Sequence, residues 1–139
     1  MVNIILVSHV KEIAEGAKKL AEQMKQGDVE IIAVGGTPDG DIGTDPDAIE
    51  TAVNEIYKED GVIILADLGS AIMSVNMVLD WLEEEVREKI VLADAPFVEG
   101  AVVAAVEAGM GNKIEEILES IESADMLSLI HISEPTRPY

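Results

Sequence analysis

The chain contains no cysteine, which excludes disulfide frameworks, cysteine-ligated zinc and thiol catalysis together and fits a reducing cytosol. Aromatic residues make up only 3% of it, too few for the stacking platforms that hold single-stranded nucleic acids. Basic residues are scarce as well: 9 Lys plus Arg stand against 28 Asp plus Glu, a net charge of −19. Nucleic acid and anionic membrane are therefore excluded as partners, since both demand a cationic surface. The plain reading of such acidity is a well-solvated exterior. No segment approaches the ~20 apolar residues of a membrane helix. The short apolar run Ile4 to Val7 lacks the basic flank of a secretory signal. A soluble, cytoplasmic protein is expected.

What is present is a regular alternation. At 139 residues the chain suits one domain with a core large enough to need no staple. Apolar strands are predicted at Asn3 to Ser8, Val29 to Val34, Gly61 to Ala66 and Ile90 to Ala93. Helices are predicted from Val10 to Gln26, from the Asp45-Pro46 cap to Lys58, from just after Ser70 to Glu85, from Val98 to Ala108 and from Lys113 to Asp125. The first helix carries Ile13, Ala14, Ala17, Leu20, Ala21 and Met24 at core-facing spacing. Strands one and three are continuously apolar, as in strands covered on both faces. The fold class is α/β, a single doubly wound open sheet, mainly parallel, of order 2-1-3-4 with helices on both faces.

That order makes the gap between strands one and three the switch point, where such sheets place their chemistry. His9 leaves strand one and Asp67 leaves strand three. The only other histidine, His131, lies in the anomalous C-terminal segment. A lone imidazole at a strand mouth can be a nucleophile, a general base, a poorly supported metal ligand or simply a satisfied polar group. Asp67 favours a working role, because its carboxylate can fix one ring nitrogen and leave the other's lone pair facing outward. Ser8, Gly69 and Ser70 precede helix N-termini, where backbone N–H groups favour an anion, and they are candidate phosphate-binding residues. Taken singly, each of these residues equally fits a plain capped loop.

Three rival chemistries fail on residue count or pattern. One histidine with scattered carboxylates supplies no recognisable metal set. A Gly-x-Ser-x-Gly elbow is absent, and Ser-His-Val-Lys-Glu-Ile stands where a Gly-x-Gly-x-x-Gly or a phosphate loop would be needed. Phosphoryl transfer through His9 itself remains. An imidazole needs no separate base at neutral pH, and its phosphoramidate keeps a high transfer potential.

Four segments in order carry a resemblance: Met1 to His9, the loop from Gly36-Thr37 through Ile42-Gly43-Thr44-Asp45, the run Asp67-Leu68-Gly69-Ser70-Ala71, and Ala95-Pro96-Phe97-Val98-Glu99-Gly100. Over residues 1 to 125 the chain resembles the phosphotransferase subunits of bacterial PEP-dependent dihydroxyacetone kinases, the DhaM family, and more widely the mannose-type enzyme IIA domains. The resemblance implies that His9 takes a phosphoryl group from HPr and passes it to ADP held in the DhaL subunit, which then phosphorylates dihydroxyacetone on DhaK. It implies catalytic roles for His9 as nucleophile and Asp67 as its orienting partner, and no cofactor in this subunit. Any magnesium would belong with the partner's nucleotide. Some family members carry further HPr-like and enzyme I-like domains; a separate HPr is expected here. A mannose-type enzyme IIA serving a sugar-specific IIB is the alternative acceptor pathway, and a non-catalytic acidic adaptor is the alternative of another class.

In the third helix Ile72, Val75, Val78, Leu79 and Leu82 form one apolar stripe, while Met73, Met77 and Trp81 form another on roughly the opposite side. A helix apolar on two faces is either deeply buried or part of a subunit interface; related families form homodimers, and a homodimer is expected. The domain is assigned to residues 1–127. Residues 128–139 abandon the acidic pattern, with two prolines among the last five residues. They resemble a translated sequencing-adapter end and are set apart from the function.

Overall fold

The computed structural model describes residues 1–122. The segment 128–139, set apart above, lies outside the described residues, as does the boundary at 127. Four parallel strands, β1 (Asn3–Ser8), β2 (Ile31–Gly35), β3 (Val62–Ala66) and β4 (Ile90–Leu92), form one sheet in the order β2-β1-β3-β4. The expected strand order and α/β class are those observed. The helices are α1 (Lys11–Met24), α2 (Pro46–Ile56), α3 (Gly69–Trp81), the single turn α4 (Glu84–Arg87), α5 (Phe97–Gly109) and α6 (Ile114–Glu122).

Alternation along the strands divides the core in two, because successive side chains leave a strand on opposite faces. Ile4, Leu6, Ile63 and Leu65 pack with Ala17 and Ala21 of α1, the alanines of α5, and Ile117 and Ile121 of α6. Ile5, Val7, Val62 and Ile64 pack with Ile49, Val53 and Ile56 of α2 and with Val75 and Val78 of α3. Both faces of β1 and β3 are thus covered, which is why these strands read as unbroken apolar runs.

Two helical readings need correction. In α1 only Ala14, Ala17 and Ala21 are buried, whereas Ile13, Leu20 and Met24 are about half exposed. The seam is built from small residues on both sides: Ala17 and Ala21 pack with the alanines of α5, and the larger residues of the stripe are left at its rim. Just past α1 the chain runs closer still, where a Cβ on Gly109 at the end of α5 would lie 2.0 Å from the Gln26 carbonyl oxygen. In α3 the continuous helix expected to Glu85 stops at Trp81, and Leu82 adopts extended geometry before α4 begins. Ile72, assigned to the inward stripe, is 41% exposed, while Val75 and Val78 are buried. Met73, Met77 and Trp81 stand on the outer side, 71%, 47% and 47% exposed.

The register of β1 on β3, Ile5 with Ile64 and Val7 with Ala66, sets the two chain ends side by side at the carboxyl edge of the sheet. His9 and Asp67 follow directly, and the main-chain N–H of Asp67 bonds the carbonyl of Val7 at 3.2 Å.

Candidate functional site

Asp67 is the centre of a four-contact cluster. Its Oδ1 lies 2.9 Å from Nδ1 of His9, and its Oδ2 accepts from the Ser8 hydroxyl at 2.7 Å and from the His9 main-chain N–H at 3.2 Å. Ser8 Oγ in turn accepts the Val10 N–H at 3.2 Å. The His9 and Asp67 side chains each keep 14% of their surface exposed, so the pair is sheltered but reachable. Burial pushes the Asp67 carboxyl up; the hydrogen bonds from Ser8 and from the ring and backbone of His9 outweigh it and hold the group below the usual carboxylate range.

In a neutral ring, an ionised Asp67 carboxylate at Nδ1 selects the tautomer with the proton on Nδ1 and the lone pair on Nε2. Nε2 meets the hydroxyl of Ser70 at the first turn of α3. Leu68 is the N-cap of that helix and supplies no side-chain cap. Its carbonyl accepts from Ala71 and Ile72, so the N–H groups of Gly69 and Ser70 are the orphan donors that every helix start presents. The outward nitrogen therefore sits at the positive end of a helix dipole, a place suited to an anion.

The structure brings His9, Asp67 and Ser70 into direct contact and sets Gly69 at the same helix start. Ser8 is placed differently from the expectation. It is fully buried and its hydroxyl is committed to Asp67 and to the Val10 N–H, so it supports the carboxylate and is not available to an incoming phosphate. Strand parity carries the signal for this, since Ser8 follows Ile4 and Leu6 onto the α1 face of the sheet.

The glycine-rich loop, residues 36–45, carries no catalytic motif, yet it reaches the site. The Gly43 N–H donates to the His9 carbonyl at 2.9 Å, and Thr44 Oγ1 lies 2.5 Å from Ser74 Oγ on α3. Gly43 adopts a φ of +147°, and a Cβ there would meet Thr37 Cγ2 at 2.8 Å, so the position requires glycine. The loop ends at Asp45, whose carboxylate caps α2 by accepting the Asp47 N–H at 3.1 Å.

Among the described residues no group of three or more His, Cys, Asp or Glu is placed to hold a metal ion, and no helix is long and apolar enough to cross a membrane.

The sequence matches the family model described as the PTS system fructose IIA component over residues 3–118. It is 38% identical to the phosphoryl donor subunit DhaM of PEP-dependent dihydroxyacetone kinase 2 from Listeria innocua serovar 6a, a match covering 87% of this chain and 97% of the relative. The corresponding subunit of Pantoea ananatis is 39% identical over 86% of this chain, but only 26% of that longer protein is covered. For the Klebsiella michiganensis subunit the identity is 33% and the covered share of the relative 30%. The chain thus spans between a quarter and a third of the length of these two relatives and nearly all of the Listeria one. A crystal structure titled as that of the unknown function protein EF1359 superposes with a TM-score of 0.79 at 40% identity, covering 87% of this chain and 92% of that one.

Proposed function

The chain belongs to the PTS fructose IIA component family and within it to the DhaM phosphotransferase subunits, and from that premise we propose that it is a phosphohistidine carrier working through His9. The observation that carries the reading is the pairing of His9 Nδ1 with Asp67, which presents Nε2 at the start of α3. HPr is the donor in this reading. The Nε2 lone pair attacks its phosphoryl group, a P–N bond forms, and the bond to the donor breaks with its electron pair leaving on the donor. The ring acquires imidazolium character, which the Asp67 carboxylate stabilises. Ser70, released from Nε2, donates to a phosphoryl oxygen together with the N–H groups of Gly69 and Ser70.

In the second half-reaction a terminal phosphate oxygen of ADP, bound in DhaL, attacks phosphorus. The P–N bond breaks, its electrons return to Nε2, and ATP forms on the partner to phosphorylate dihydroxyacetone on DhaK. No cofactor is invoked in this subunit, and magnesium belongs with the partner's nucleotide. The exposed side chains of Met73, Met77 and Trp81 face a second copy in a homodimer, and residues 1–127 make up the carrier domain.

Incubation with PEP, enzyme I and HPr tests the reading. One phosphate per chain is expected on His9, labile in acid and stable in base. Label retained in His9→Ala, or found on serine, overturns it. Because the matching family model is described by a fructose IIA component, a sugar-specific IIB is the second acceptor to assay beside DhaL.

A further inference from the structure

The glycine-rich loop makes contacts that the transfer chemistry above leaves unused. It is folded on itself: the Thr37 N–H donates to the Asp41 carbonyl and the Gly40 N–H to the Thr37 carbonyl, both at 2.9 Å. The Asp41 N–H also reaches Thr37 Oγ1 at 3.1 Å. Gly36 and Gly40 take the left-handed conformations that such tight turns require, with φ of +78° and +87°. The turn from Thr37 to Asp41 is thus held by its own hydrogen bonds.

Its end is fixed at two points on two elements. Gly43 holds the His9 carbonyl, and the next residue, Thr44, shares a hydrogen bond with Ser74. Ser74 lies four residues after Ser70, on the same side of α3, and Ser70 contacts His9 Nε2. The contacts therefore close a circuit from His9 through Gly43, Thr44, Ser74 and Ser70 back to His9. Asp67 orients the ring from below; this circuit joins the backbone of His9 to the helix that faces its outward nitrogen.

We propose that Thr44 and Ser74 are positioning residues, a pair of hydroxyls that latches the loop onto α3 and thereby keeps His9 and Ser70 in register. The proposal rests on the phosphocarrier reading of His9. Phosphoryl transfer depends on the line between the donor, phosphorus and Nε2, and displacements of a fraction of an ångström are costly in such geometries. Supporting contacts of this kind decide whether a correctly composed site is also correctly aligned.

The test uses Thr44→Val, Ser74→Ala, the double variant and the conservative Thr44→Ser. Three quantities are read: amide exchange of Gly43, the ring nitrogen signals of His9 by proton–nitrogen correlation, and the rate of phosphoryl uptake from HPr. In Ser74→Ala, Gly43 exchange accelerates, the Nε2 signal of His9 shifts as Ser70 moves away from it, and uptake slows on the order of 10-fold to 100-fold. Thr44→Val does the same, Thr44→Ser restores all three, and the double variant is no slower than the slower single one, because one contact is lost in each case. Should Thr44→Val fail to fold, Ser74→Ala alone decides. Unchanged Gly43 exchange and ring signals in folded Ser74→Ala, or losses that multiply in the double variant, overturn the latch. If the unaltered protein accepts no phosphoryl group, the phosphocarrier reading falls, while Gly43 exchange and the ring signals still decide whether the latch exists.

Discussion

The carboxylate of Asp67 holds His9 twice, its ring through Nδ1 at 2.9 Å and its main chain through the N–H at 3.2 Å. Removing it frees both the tautomer and the backbone turn that aims the ring. Asp67→Ala is expected to fold and to slow transfer both from HPr and to ADP by on the order of 10-fold to 1000-fold. Quench-flow rates measure this; rates near those of the unaltered protein would show that the pairing has no part in transfer.

Acid should weaken the same contact. The Asp67 pKa is lowered from its ordinary value of 3.8 in the folded chain, so the unfolded chain binds this proton more readily than the folded one. Its stabilising contribution is complete above the ordinary value and is lost as pH falls below it, through the lowered one. Urea unfolding of the unaltered protein and of Asp67→Asn between neutral pH and pH 3 checks the sign: the gap between the two should narrow toward acid.

Ser8→Ala should act through Asp67. The hydroxyl is fully buried and donates to a charged acceptor at 2.7 Å, so its loss is expected to destabilise by about 1–3 kcal/mol. It should also raise the Asp67 pKa, seen by carbon-detected titration of the carboxyl, and slow transfer less than Asp67→Ala does.

Gly109→Ala probes the seam far from the site. A Cβ there would lie 2.0 Å from a backbone oxygen of Gln26, which cannot swing aside as a side chain would. Destabilisation at the upper end of about 1–3 kcal/mol is expected, read as a shift of the urea midpoint, with transfer unaffected where the protein remains folded.

The outer face of α3 bears on assembly. Sedimentation at micromolar concentrations should show a dimer, and replacing Met77 and Trp81 by charged residues should yield a folded monomer. A monomer before substitution would refute the interface.

Much of this architecture is legible in the sequence because burial on both faces forces unbroken apolar strands at Asn3 to Ser8 and in β3, and right-handed crossovers leave few ways to order them. The adjacency of His9 and Asp67 follows from that order alone. The inward set of α1 was less legible: helical periodicity gives the direction of a stripe, but only the closeness of neighbouring backbones decides that alanines fill it and Ile13, Leu20 and Met24 do not. The contacts of Gly43 and Thr44 were hidden for a different reason. A loop's hydrogen bonds to remote elements leave no periodic trace, and they depend on the conformations of Gly36, Gly40 and Gly43 rather than on any spacing. Ser8 stands near a helix start in the sequence, but its parity along β1, shared with Ile4 and Leu6, turns it inward toward Asp67.

The position of β1 at the middle of the sheet also governs when the site can exist during folding. His9 and Asp67 are separated by 58 residues, and they meet only when β3 docks on β1 in its final register. Closing a segment of that length carries an entropic cost that local helix formation does not share, and parallel pairings of distant strands are slow for this reason. A nascent chain that has made β1, α1 and β2 but not β3 therefore holds an imidazole with no carboxylate beside it. Assembly of the reactive pair and the docking of β3 on β1 are one event, so the appearance of the Nδ1-bonded tautomer of His9 serves as an internal clock for the docking of β3.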